Sequence, residues 1–100
     1  MTTIDVLFVR VYITESSKLR DTIVQYLNNE AKMRGITVFR AIGGYGDSGQ
    51  HSSSLLDISL DLPLVIEFFD SIDKTKLAIE HLMTIIKSEH IVFWEAKVNA

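Results

Sequence analysis

The chain has 100 residues, 47% of them hydrophobic and 23% charged, with a net charge of −3 and no cysteine. Such a composition suits one globular domain spanning residues 1–100, excludes a disordered chain, and leaves no disulfide framework, thiol nucleophile or thiolate metal site. The acidic balance argues against a dedicated nucleic-acid partner.

The segment Met1–Ile13 carries Asp5, lacks a cationic start and alternates in polarity, so it does not read as a secretory signal. No apolar run approaches the roughly 18–20 residues of a membrane span. A cytoplasmic protein is expected. Ile4–Ile13 is mostly β-branched and aromatic, which predicts a strand. Leu7, Val9, Val11 and Ile13 form one apolar face; Val6, Phe8, Arg10 and Tyr12 form the other, apolar except for Arg10. A strand with two apolar faces is covered on both sides.

Thr14–Lys18 is a polar connection in which Ser16 or Ser17 is placed to cap a helix. Leu19, Ile23, Val24, Leu27 and Ala31 then follow the three-and-four spacing of an amphipathic helix over Leu19–Arg34, with Gly35 as its left-handed C-cap. Thr37–Ile42 predicts a second strand that runs into a glycine-rich loop containing Gly43, Gly44, Gly46 and Gly49. Leu55–Leu60 has the pattern of a further short strand, and Leu64–Asp70 that of a third long one. Ser71 or Asp73 caps a second helix that reaches about Lys87; with Asp73 as the cap, Ile72 and Leu77 would form a hydrophobic staple. His90–Val98 alternates as a closing strand, with Trp94 expected in the core.

The order β-α-β-β-α-β predicts an α+β, ferredoxin-like sandwich: an antiparallel sheet with both helices on one face and the first and third strands central. Its other face would carry Val6, Phe8, Tyr12, Val65 and Phe69, with only Arg10 and Glu67 charged. So much apolar surface predicts a homo-oligomer packed sheet on sheet. Arg10 and Glu67, at facing positions, are expected to pair there.

The glycine loop is the main candidate site. Its backbone N–H groups can approach phosphate or carboxylate oxygens, and Arg40 can add a bidentate contact. The same glycines would also serve a plain hairpin. The spacing is neither a Walker A loop nor a dinucleotide fingerprint. Ser48 and His51 lie in the loop, and Tyr45 stands between glycines where it could cover a ligand. His51, His81 and His90 show no metal-ligand spacing, and Ser48 and Ser52–Ser54 lack a nucleophile elbow, so neither metal nor catalytic residues are assigned.

The stretches RVYITES (Arg10–Ser16), ITVFRAIGGYG (Ile36–Gly46) and DLPLVIEFFDS (Asp61–Ser71) resemble the small PII-like proteins classed as domain of unknown function (DUF) 190. The resemblance spans nearly the whole chain, and its most specific part is the middle motif, T-V-F-R-x-I-x-G-[FY]-G. It implies a ferredoxin-like homotrimer with sheets facing the centre, and a non-enzymatic regulatory role. Gly44, Tyr45 and Gly46 match the Gly-aromatic-Gly step that opens the PII T-loop, so Asp47–Ser54 resembles a short T-loop. PII proteins bind adenine nucleotides in subunit clefts at the base of this loop and report occupancy to a protein partner, for which a membrane transporter is one candidate. The expected ligand-binding set is therefore Arg40, Gly43, Gly44, Tyr45, Gly46, Ser48 and His51, with an adenine nucleotide as the candidate ligand and no bound cofactor. Arg40, Ser48 and His51 enter from charge and position alone. PII also has a glycine-containing phosphate loop before its last strand; the corresponding link here is Lys87-Ser88-Glu89-His90, without glycine. Two alternatives share the architecture: a trimeric divalent-metal-handling protein of the cation-tolerance type and a dimeric α+β barrel enzyme.

Overall fold

A computed structural model describes residues 1–46, 49–52 and 62–100. The strands are β1 (Thr3–Thr14), β2 (Gly35–Arg40), β3 (Gly43–Gly46), β4 (Gly49–Ser52), β5 (Pro63–Ser71) and β6 (Ile91–Asn99); the α-helices are α1 (Arg20–Gln25) and α2 (Ile72–Leu82). Four strands form one antiparallel sheet in the order β2–β5–β1–β6, and β3 and β4 form a separate two-stranded ribbon. The fold is the expected α+β ferredoxin-like sandwich with the first and third long strands, β1 and β5, in the centre. The short strand expected over Leu55–Leu60 lies outside the described residues.

The alternation in β1 and β5 decides which face is buried. Leu7, Val9, Val11 and Ile13 of β1 and Leu64, Ile66 and Phe68 of β5 pack against Ile23 and Leu27 from the first helical segment and Ala78, Ile79 and Leu82 from α2. Burying each of the larger side chains among them contributes about 1.5–3 kcal/mol. Thr75 on α2 is fully buried, and its hydroxyl has no hydrogen-bond partner among the described residues.

Several helix boundaries differ from expectation, each for a local reason. Leu19–Arg34 is not one α-helix: α1 ends at Gln25 and the turn widens to a π-helix over Tyr26–Glu30, where the Ala31 N–H donates to the Tyr26 carbonyl at 2.9 Å. The wide turn releases the chain early, so Lys32, not Gly35, adopts the left-handed conformation (φ 54°). The Met33 N–H donates to the Leu27 carbonyl at 2.9 Å, and the Lys74 ammonium donates to the Lys32 carbonyl at 2.6 Å. Gly35 opens β2 instead and serves packing: a Cβ there would lie 2.4 Å from Phe69 Cε1. The Ser17 hydroxyl donates to the Thr14 carbonyl at 2.6 Å and accepts the Leu19 N–H at 3.4 Å, so it braces the turn ahead of α1.

At the second helix Ser71 takes the N-cap position, so Ile72 is already helical and the Ile72–Leu77 staple does not form; Leu77 is 66% exposed. The helix ends at Leu82, not near Lys87, and hydrogen bonds from the Ile85 and Ile86 N–H groups to the Leu82 carbonyl close it. Asp70 ties the two crossovers together. Its carboxylate accepts the Arg34 N–H at 2.9 Å, the Ser71 N–H at 2.7 Å and the Lys74 ammonium at 3.1 Å. Burial pushes this carboxyl up, but the bonds from Ser71, Lys74 and Arg34 outweigh it and hold it below the ordinary carboxylate range.

Candidate functional site

The candidate site grows out of the end of β2. Arg40 is the last residue of that strand, opposite Leu64 of β5, and the Ala41 N–H donates to the Pro63 carbonyl at 2.8 Å. Two residues later the glycine-rich segment begins. It is not an irregular loop: Gly43–Gly46 and Gly49–Ser52 pair as an antiparallel ribbon, Gly43 with Ser52, Gly44 with His51, Tyr45 with Gln50 and Gly46 with Gly49. A backbone ladder needs no side chains, which is why glycines can carry it at some cost in rigidity. The pairing sets His51 beside Gly44 and continues the site residues along one ribbon from Arg40. Ser48 lies outside the described residues, as do Asp47, Ser53 and Ser54 of the expected short T-loop. The part of that loop over Gly49–Ser52 is strand β4.

Arg40 is held from across the sheet. Its side chain is 62% exposed, and its Nη2 donates to Oε1 of Glu15, just beyond the end of β1. The Glu15 N–H in turn donates to the Leu62 carbonyl at 3.1 Å. Glu15 and Arg40 therefore straddle the start of β5, each fixed by backbone bonds to neighbouring residues there. Glu15 is not legible in the sequence as a partner of Arg40, because 25 positions separate the two. Only the strand order β2–β5–β1 brings the two strand ends within reach of one another.

A second region is built on the uncovered face of the sheet. The register lines up Trp94 of β6, Phe8 of β1, Phe69 of β5 and Gly35 of β2 in one row. The Phe8 ring stacks on Trp94 (centroids 5.0 Å apart) and on Phe69 (5.6 Å), while Phe69 lies over the space that Gly35 leaves open. The next row is Val92, Arg10, Glu67 and Thr37. Arg10 Nε donates to Glu67 Oε1 at 2.6 Å, so the facing charges pair as their positions predict, and the guanidinium lies 5.7 Å from the Trp94 ring centroid. Hydrogen bonds to Glu67 and Tyr12 raise the Arg10 pKa above its ordinary value. Trp94 is not in the core. It is 40% exposed on this face, which also carries exposed Val92, Tyr12 and Phe39. The even-numbered positions of β6 face away from the helices, an outcome of register that alternation alone leaves open.

The histidines are dispersed. His81 stacks on Tyr26 at 3.9 Å between centroids, and His90 ends a 3₁₀ turn ahead of β6. Among the described residues no three His, Asp or Glu side chains come together as metal ligands would, and no helix is long and apolar enough to cross a membrane.

A ferredoxin-like sheet with a ribbon rising from its edge strand defines a PII-like α+β protein. The chain belongs to the DUF190 family, described as an uncharacterized ACR, whose profile matches residues 6–98. A UPF0166 protein of Aquifex aeolicus (strain VF5) is 39% identical over 70 residues, a match spanning 66% of this chain and 63% of that relative's length. Among solved structures, CPII of Thiomonas intermedia K12, a nitrogen regulatory PII-like protein bound to ADP, AMP and bicarbonate, has a TM-score of 0.76 at 14% identity, covering 99% of this chain and 92% of that one. A PII-like signalling protein of Thermus thermophilus has a TM-score of 0.65 at 14% identity, covering 98% of this chain and 91% of that one. At these identities the likeness establishes the fold.

Proposed function

We propose that this chain is a non-enzymatic, PII-like regulatory protein of the cytoplasm that binds a small anionic ligand, with an adenine nucleotide as the first candidate. The protein works as a homotrimer whose uncovered sheet faces meet at the centre, and the ligand sits in the clefts between subunits at the base of the ribbon. Those N–H groups of Gly43, Gly44 and Gly46 that point away from the partner strand are offered to its oxygens, Arg40 supplies charge, and Tyr45, Ser48 and His51 complete the site. Occupancy orders the ribbon and changes its contact with a protein partner, for which a membrane transporter is one candidate.

The observation that carries this reading is a glycine-rich ribbon leaving the edge strand immediately after Arg40, on a fold shared with a protein solved with ADP and AMP. Backbone N–H groups beside a guanidinium are the elements of an anion site. Isothermal titration of the purified protein with ATP, ADP, AMP and cyclic AMP tests it. Saturable binding of at least one nucleotide, weakened about tenfold by Arg40→Gln, is the expected result. No heat from any of the four would contradict it.

A further inference from the structure

The Arg40 side chain is already engaged. Glu15 holds it from the end of β1, and neither partner is buried: the side chains are 62% and 30% exposed. An exposed ion pair contributes only about 0–1 kcal/mol, so an incoming anion with more charge exchanges with it readily. The positions of both partners are nevertheless fixed. Arg40 pairs with Leu64, Ala41 bonds to Pro63 and Glu15 bonds to Leu62, so three successive residues at the start of β5 set the spacing between the carboxylate and the guanidinium. Glu15 thus presents an oxygen where a ligand's phosphate oxygen would approach Arg40.

We propose that Glu15 is an internal competitor for the anion site: its carboxylate occupies Arg40 in the free protein, and only a ligand group that outcompetes a carboxylate displaces it. The inference rests on the nucleotide-binding reading above and adds a selectivity device to it. A phosphate that carries more than one negative charge and three acceptor oxygens exchanges well; a lone carboxylate gains nothing over Glu15. Displacement releases the Glu15 side chain from Arg40, while the backbone bonds keep both strand ends in place. Ligand arrival is thereby coupled to release of the Glu15 carboxylate beside the ribbon's root.

Titration calorimetry of the full chain with ADP and with adenosine, comparing the unsubstituted protein, Glu15→Gln, Arg40→Gln and the double variant, tests the proposal. Glu15→Gln is expected to tighten ADP roughly threefold to fivefold, the factor that a surface ion pair is worth as a competitor. Adenosine, with no phosphate, is expected to bind Glu15→Gln and the unsubstituted protein alike. In the Arg40→Gln background the Glu15 substitution is expected to have no further effect. Circular dichroism establishes that each variant is folded. ADP binding to the unsubstituted protein with no gain in Glu15→Gln, or an equal gain for adenosine, overturns this inference alone. Absence of ADP binding in all four proteins overturns the nucleotide reading and this inference with it.

Discussion

On the helix-covered face of the sheet β1 and β5 present Leu7, Val9, Val11, Ile13, Leu64, Ile66 and Phe68, all buried; on the opposite face the same strands present Phe8, Arg10, Tyr12, Val65, Glu67 and Phe69, and Tyr12 is 41% exposed. Apart from Phe68, the covered face is aliphatic, and its branched side chains interdigitate with helix ridges at crystal-like density. The uncovered face is built from stacked rings and one ion pair that satisfy each other within the sheet. Such a surface holds its shape before anything lands on it. The contrast separates the face that folds the chain from the face that the proposed trimer would use.

Substitutions can break this contrast from either side. The largest expected effect is on the covered face: Phe68→Ala should lower the unfolding free energy by about 3–5 kcal/mol, measured by urea denaturation. Phe39→Glu, on the uncovered face and 50% exposed, should instead leave the far-ultraviolet circular dichroism intact and reduce the oligomer's mass in solution. Equal loss of folding in both would erase the distinction.

Gly35→Ala tests the join between the two regions, since its Cβ would meet the Phe69 ring at 2.4 Å. About 1–3 kcal/mol of destabilisation is expected, with the ring stacking on the uncovered face disturbed as well. Asp70→Asn should cost about 1–3 kcal/mol at neutral pH through weakened bonds to Arg34, Ser71 and Lys74. Folding lowers the pKa of Asp70, so the unfolded chain takes up its proton first. The stabilisation is therefore full above about pH 4, the ordinary Asp value, and fades as pH falls through the lowered folded value. Denaturation curves between neutral and acid pH should show that slope in the parent and lose it in Asp70→Asn. The smallest effect is a gain: Thr75→Val removes an unpartnered buried hydroxyl and should raise stability by about 1 kcal/mol or less.

The broad plan is legible in the sequence because period-two alternation in Leu7–Ile13 and Leu64–Phe68 names both the strands and their buried face. The two-faced β1 also points to an uncovered apolar surface. Other features depend on contacts between distant residues. The π turn at Tyr26–Glu30 leaves no local mark, so Gly35 reads as a helix cap; its real constraint is Phe69, far along the chain. The ribbon reads as a loop because glycines lack the side-chain alternation that announces strands. Trp94 reads as a core residue because its face depends on the pairing of β6 with β1, which sets it opposite Phe8. Glu15 becomes visible as Arg40's partner only once the order β2–β5–β1 is known.

In the proposed PII-like trimer, copies of this chain meet through the uncovered face. Size-exclusion chromatography with light scattering on the purified protein tests it most directly. A particle of three times the 11.3 kDa chain mass is expected. A particle with the mass of one chain or of two would contradict it.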